Sequence, residues 1–439
     1  MRKNFLKKVL AVTLASTMAF SMVGCGNSDS KSKDEGKKSD GTITLNVWHQ
    51  WSNDTNELKG RYEEAVKAYE KENPNVKIKT ETLDTEAYKT KINAEFAGDA
   101  KGIDVFYWWG AGTAKKLVDA GKVMALDNYL TDDVKSKMVE GSTSAFEYDG
   151  KLYSVPMFSW YMTLFCNKAL FDKAGAKLPE TYDELVDAVK KLKTIDGVTP
   201  MAAGAKDGWN AAFVYQALAL REVGATGVNE MLSGKKEFGD EGYKKAAQKV
   251  ADLYKMGAFG ENPLEQGNDD ANAAFENGKA AMRIMGSWFA NNVYTDKAAT
   301  VKPEEVVALK IPTISDGKGE ASDYCGGYVE SFWVNNNTKY KEEAAKFCIY
   351  INEKMGVASY ETGSGFSGWT TKADESKLNP LFIQIKDLLA QGKQGVLAWD
   401  TSLEAEPAAV HNEQVQTLFA DGADINAFID EHKAAINGK

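Results

Sequence analysis

Thr42-Ile43-Thr44-Leu45-Asn46-Val47 alternates apolar and polar side chains at the two-residue period of a strand. The loop Trp48-His49-Gln50-Trp51-Ser52-Asn53 follows, then a helix that begins near Asp54, with Asp54 and Glu57 as a capping pair. Leu58, Tyr62, Val66 and Tyr69 recur at helical spacing until Pro74 ends the helix. Val76-Lys77-Ile78-Lys79-Thr80 reads as a second strand, 85–96 as a second helix, and Ile103-Asp104-Val105-Phe106-Tyr107 as a third strand. Strand, helix, strand, helix, strand in that order implies a parallel sheet with helices packed on it, an α/β fold.

The pattern continues toward the C-terminus. Extended segments are expected at 151–156, 161–166, 280–284, 306–311 and 328–334, and helices at 182–193, 209–223, 243–256 and 271–277. A further helix starts at Ser287-Trp288, and the remainder is mainly helical apart from the glycine-rich break Gly363-Ser364-Gly365-Phe366-Ser367-Gly368-Trp369.

Ahead of the first strand lies a different kind of sequence. Arg2, Lys3, Lys7 and Lys8 precede an uncharged apolar stretch over 9–20, which ends in Ser21-Met22-Val23-Gly24-Cys25. A basic start, a short apolar run and small residues before a cut describe an export signal over 1–24. The run is shorter than the roughly 20 residues that span a bilayer. The Gly24-Cys25 ending resembles a bacterial lipobox, which makes Cys25 the lipidated first residue of the mature chain. Residues 26–40 contain only Gly, Asn, Ser, Asp, Lys and Glu, so 25–40 is expected to be a flexible tether able to reach on the order of 50 Å.

About 400 residues remain from 41 to 439, more than one core usually serves, so two lobes are expected. Loss of 1–24 removes four positive charges and no negative ones, taking the formal charge from −10 to −14. That balance argues against nucleic acid as a partner. Besides Cys25 the cysteines are Cys166, Cys325 and Cys348, and the only histidines are His49, His411 and His432. No C-x-x-C occurs, so neither a Cys/His metal site nor any other cofactor is expected, and the three cysteines read as small core residues.

Ten tryptophans call for an explanation. Trp48, Trp51, Trp108, Trp109 and Trp288 fall at or just past the carboxyl ends of expected strands, where α/β sheets bind ligands. An indole is a flat apolar platform for the C–H face of a pyranose, and Gln50, Asn53 and Asp400 are polar groups able to orient hydroxyls. Trp333, in a β-rich run, reads as core. Trp160, Trp209, Trp369 and Trp399 lie in loops or at helix ends, where exposure to a cleft is more plausible than inside a strand.

Several stretches carry a family resemblance, in order along nearly the whole mature chain. They are Tyr69-Glu70-Lys71-Glu72-Asn73-Pro74-Asn75-Val76-Lys77-Ile78, Asp104-Val105-Phe106-Tyr107-Trp108, Tyr153-Ser154-Val155-Pro156, Cys166-Asn167-Lys168-Ala169-Leu170-Phe171-Asp172-Lys173-Ala174-Gly175 and Pro179-Glu180-Thr181-Tyr182-Asp183-Glu184-Leu185. The strongest is Phe275-Glu276-Asn277-Gly278-Lys279-Ala280-Ala281-Met282-Arg283-Ile284-Met285-Gly286-Ser287-Trp288. Together they resemble the extracellular solute-binding proteins of carbohydrate ABC importers, similar to maltose-binding protein. Tyr153-Ser154-Val155-Pro156 has Ser where Gly is frequent.

The resemblance implies a type II periplasmic-binding-protein fold, with two α/β lobes joined by a hinge crossed near Pro156, Pro312 and Gly365. Lobe one would hold 41–155 and 313–365, and lobe two 157–311 and 366–439. An oligosaccharide would bind between them, and ABC permease subunits would recognise the closed, monomeric protein at the membrane. Trp108 and Trp288 would face the sugar, one from each lobe, followed by His49, Gln50 and Trp51, and then Trp109, Trp160, Trp209, Trp369, Trp399 and Asp400. No catalytic residue carries over. A secreted glycoside hydrolase, which would need a carboxylate pair flanking the bond, and a carrier of a non-sugar solute stand as the alternatives.

Overall fold

Strands β1 (Ile43–His49) and β2 (Val76–Thr82) pair in parallel along their full length, from Ile43 against Val76 to His49 against Thr82. β3 (Val105–Trp109) pairs in parallel with β1 on its other side. Helices α1 (Glu57–Glu72) and α2 (Thr85–Ala97) make the crossovers. In this computed structural model residues 41–53 and 56–438 are described. The export signal, Cys25, the tether and Asp54 therefore lie outside the described residues. The cap of α1 is Asn56, whose side chain accepts from the Leu58 N–H, and Leu58, Tyr62, Ala65 and Tyr69 form its buried face.

The remaining strands are β4 (Glu147–Tyr148), β5 (Lys151–Leu152), β6 (Phe158–Asn167), β7 (Thr199–Met201), β8 (Ala280–Gly286), β9 (Val306–Leu309), β10 (Asp323–Val334), β11 (Phe366–Ser367) and β12 (Gln394–Val396). One ten-stranded sheet runs β2-β1-β3-β10-β6-β8-β7, with β9 and β11 on β6 and β12 on β10, while β4 and β5 form a separate hairpin. The fold is α/β, with a run of helices closing the chain: Pro380–Ala390, Trp399–Ser402, Ala405–Thr417 and Ile425–Asn437.

Two hydrophobic cores flank the middle of this sheet. The first gathers Val47, Val105, Phe106, Phe332, Trp333, Val334 and Phe347; the second gathers Leu164, Phe165, Leu185, Phe213, Met282, Phe289, Trp399 and Phe428. Two strands belong to both. Phe158 of β6 lies in the first core and Trp160 to Cys166 supply the second, while Cys325 of β10 lies in the second and Phe332 in the first. The chain thus passes from the first core to the second between Phe158 and Trp160.

The return differs from the expectation near Pro312. Ile314 packs in the second core, Thr313 N–H donates to Glu180 O, and Arg221 donates to Glu320 O and Asp323 O. Residues 313–325 are therefore held on the second side, and the crossing falls inside β10. Proline ends β9 but does not mark the hinge. Next to the expected third crossing, Tyr360 and Phe366 pack in the second core, but Trp369 turns back into the first, donating from Nε1 to Pro156 O at 2.6 Å.

At the β10 crossing, backbone needs decide the side chains. A Cβ on Gly326 would lie 2.0 Å from Trp160 O, so only glycine lets β10 approach β6 there, and its φ of 140° suits no other residue. Beyond the end of β6, Asn352 takes over the ladder. Its Oδ1 accepts from Phe332 N at 2.8 Å and its Nδ2 donates to Phe332 O at 3.0 Å. Ser154 uses its hydroxyl on Ser331 and Phe332 O, and Ser331 donates to Val155 O at 2.6 Å. Cys166, Cys325 and Cys348 are unpaired and buried.

Replacing Asn352 with Ala strands a buried strand N–H, a loss of about 2 kcal/mol. Urea unfolding of Asn352→Ala is expected to show that drop, and Asn352→Leu, which restores volume but not the bonds, should recover little of it.

Candidate functional site

β1 and β3 end side by side, delivering Gln50 and Trp109 to one edge of the first core. Helix α3 (Gly112–Asp119) starts just beyond and meets the second core. A Cβ on Gly112 would lie 2.3 Å from the carbonyl oxygens of both Ser402 and Leu403, so the lobes touch there backbone to backbone. Thr113 Oγ1 lies 3.3 Å from Asp400 O and from Thr401 O as a donor, and Lys115 Nζ is 3.9 Å from Glu404.

Lys89 of α2 stands in the seam so formed. Its ammonium is 5.2 Å from the ring centre of Trp109, from the first core, and 5.9 Å from that of Trp209, from the second. It also pairs with Glu86 at 3.1 Å. Behind Trp209 the second side is aromatic. Trp160 stacks on Phe213 at 5.3 Å and meets the edge of Trp288 at 5.2 Å, and Trp209 and Trp288 lie 6.4 Å apart.

Carboxyl groups converge on the same place. Glu330, at the β10 crossing, is buried and accepts from the Tyr107 hydroxyl; burial pushes its carboxyl up to about 8, against the pull of Lys89. Burial also raises Asp400, opposed by Lys89, and raises Asp207, whose carboxylate accepts from Asn268 N at 2.6 Å. Gln50 Oε1, Asp400 Oδ1, Asn412 Oδ1 and Trp108 Nε1 are buried polar atoms with no protein partner, a costly state unless something else supplies one.

The sequence-derived candidates separate accordingly. Trp109, Trp209, Trp288, Gln50 and Asp400 are partly exposed along the seam. Trp108 and Trp160 are each 4% exposed and stand behind Trp109 and Trp288. Four candidates belong to the cores instead. His49 lies 4.2 Å from Tyr62, accepts from Trp51 N through Nδ1, and is pushed down to about 3 by burial, so it stays neutral. Trp51 packs on Tyr107 and Phe332, Trp369 is tied to Pro156, and Trp399 sits among Tyr215, Tyr243 and His411. In each case the ring follows a strand or helix end but points back into the lobe, where apolar neighbours cover it.

A hydrogen-bond chain holds the Asp400 segment in place. Trp399 N donates to Gln216 Oε1, which turns the Gln216 amide N–H toward His411 Nε2 at 3.0 Å. His411 Nδ1 then donates to His432 Nε2 at 2.9 Å, and His432 Nδ1 to Phe428 O at 2.8 Å. The chain closes only with both imidazoles neutral, in keeping with burial, which pushes His432 down to about 4 and His411 down as well. A separate cavity of about 430 Å³ lies on the second lobe around Gly224, Asp323 and Lys318, away from the tryptophans.

Sequence reasoning missed Lys89, Glu330, Asp207, Asn412 and Thr113. Glu330 alone had a visible signal, as a carboxylate inside the apolar run 328–334.

Comparison with known proteins bears on this arrangement. Residues 53–357 match the family model described as bacterial extracellular solute-binding protein. The chain is similar to the galactooligosaccharide-binding protein of Bacillus subtilis, 28% identical over 372 residues, or 81% of this chain and 79% of that one. It is also similar to the multiple sugar-binding protein of Streptococcus mutans, 22% identical over 86% of each chain. Among solved structures, one from work on xylan utilization by the thermophilic bacterium Caldanaerobius polysaccharolyticus superposes with a TM-score of 0.85 at 36% identity, covering 89% of this chain and 99% of that one. A chitin oligosaccharide binding protein, at 22% identity and a TM-score of 0.81 over 90% and 98%, shares the fold.

Glu330 generates a pH signature. Between its unfolded value near 4.5 and about 8, the folded protein holds a proton that the unfolded chain has released. Its contribution to stability is therefore fully present below about 4.5, is lost as pH rises through about 8, and changes by at most about 1.4 kcal/mol per pH unit. Glu330→Gln keeps an acceptor for Tyr107 and removes the titration. It is expected to unfold at higher denaturant than the parent at pH 8.5, with the difference shrinking toward pH 5.

Proposed function

This chain belongs to the bacterial extracellular solute-binding proteins, and on that footing we propose that it captures an oligosaccharide in the seam between its two cores. It is the exported sugar-binding component of a carbohydrate ABC importer, and the permease subunits of that importer receive its cargo. The observation that carries the reading is the meeting of Trp109 and Trp209, from opposite cores, over Lys89, with Trp288 beside them. Apolar indole faces take the faces of pyranose rings, and Gln50, Asp400, Asn412 and Trp108 offer buried acceptors and a donor to their hydroxyls. The lobes bend at β6 and β10 to admit the chain of sugars and close over it.

Several features go with this reading. The protein acts as a monomer and as a carrier, returning its sugar unaltered. The leader 1–24 is cut, Cys25 bears the lipid, and 25–40 tethers the binding domain to the outer face of the membrane. Among the described residues no helix is long and apolar enough to cross a membrane. The 36%-identical relative comes from work on xylan utilization, which puts xylo-oligosaccharides first among the sugars to try.

Calorimetric titration against xylo-, malto- and galacto-oligosaccharides tests the reading. Saturable 1:1 binding of one class is expected, weakened about thirtyfold or more, roughly 2 kcal/mol, by Trp209→Ala or Trp288→Ala. Absence of binding across the panel, or a shortened sugar after overnight incubation, would overturn it. For the anchor, mass spectrometry of the native protein should find an N-terminus at Cys25 carrying diacylglycerol; an unmodified Cys25 would remove the membrane from the account.

A further inference from the structure

We propose that the seam selects uncharged sugars and rejects those bearing a carboxylate, and that Asp400 is the principal discriminating residue. The inference rests on the reading of the seam as a sugar site and adds a substrate class to it.

Acceptors outnumber donors among the unpartnered atoms of the seam. At the seam, the buried polar atoms without a protein partner include three acceptors, Gln50 Oε1, Asp400 Oδ1 and Asn412 Oδ1. Asn412 stands beside the start of the helix that carries Trp209, since a Cβ on Gly208 would come within 2.8 Å of its own Cβ. Asp400 is held against α3 through Thr113. A sugar hydroxyl donates as well as accepts and can satisfy all three. An ionised carboxylate only accepts, so it could be met by the one unpartnered donor, Trp108 Nε1, but would leave these three acceptors facing an acceptor.

Charge acts in the same direction. Glu86, Asp207 and Asp400 all lie within the electrostatic reach of Lys89, and Glu86 already holds its ammonium at 3.1 Å, while Glu330 beside them keeps its proton at pH 7 and adds no charge. The rings flanking that ammonium are neutral. A uronate or aldonate would therefore enter a site whose acidic groups outnumber its one cation, and whose cation is taken. In a partly buried setting such like-charge contacts are screened far less than at a free surface.

Xylotetraose, its reduced alditol and its oxidised aldonate form a matched series, because alditol and aldonate share an open end and differ in charge. Titrated into the full protein at pH 7, the alditol is expected to bind and the aldonate to bind at least about thirtyfold more weakly. Asp400→Asn keeps an acceptor oxygen and removes a charge, so the ratio of the two affinities should fall below about tenfold, a change that a purely structural role would not produce. An aldonate that binds within about threefold of the alditol to the unmutated protein overturns the proposal, and an unchanged ratio in Asp400→Asn overturns the assignment to Asp400. If xylotetraose is silent, the same pair is prepared from whichever neutral oligosaccharide binds. Silence toward every neutral sugar fails the carrier reading itself, and the charge rule with it.

Discussion

β10 pairs with β6 and β12 along its first half and with β3 along its second, and that shared ladder leaves the two cores no freedom to be built separately. A strand cannot slide by one residue without turning every side chain to the opposite face. Cys325 facing the second core and Phe332 facing the first therefore depend on one register. The ladder shifts between Tyr328 and Glu330, and Gly110 N donates to Val329 O there. The irregularity falls between the halves, where a bend can be taken up without loss of either pairing.

The same strand joins architecture to chemistry. Glu330 lies at the shift, so the residue at the crossing is also the buried acid facing the seam. Around it the protein tolerates several polar groups that a core would exclude, and it meets the cost of some with specific partners: Tyr107 for Glu330, Glu86 for Lys89, and the Asn268 N–H for Asp207. Rigid support behind Asp400, with adaptable contacts in front, is the arrangement expected of a site built to be occupied.

Much of this was legible in the sequence where local rules govern. β1, α1, β2, α2 and β3 follow from alternation, helical spacing and Pro74, and the helix expected at 182–193 is found at Tyr182–Leu192, started by a capping box of Thr181 and Glu184. The helix expected to end at Val223 does break at Gly224, which has φ 80°, yet a second segment continues to Leu232. The early half of β10 was invisible because Asp323 to Gly327 has no alternation; β6 and β12 make it a strand. Tryptophan was the harder reading. Position at a strand end told where Trp51, Trp108 and Trp109 sit along the chain but not which way each ring turns, since that depends on neighbours far away in sequence, such as Phe332 for Trp51. Lys89 was hidden for the same reason: Tyr88 and Ile92 fix the buried face of α2, and only the other lobe makes its flank a site.

The contact at Gly112 has a consequence for the electrical economy of the molecule. α3 starts at Gly112 behind Ala111, which gives it no side-chain cap to offset the positive end of its dipole. What approaches that end is the last pair of carbonyls after the short helix Trp399–Ser402, Ser402 and Leu403, a partial negative charge brought by the other lobe. The fit between the lobes there is set by main chain alone, so it tolerates change in most surface side chains but not a side chain at Gly112 itself.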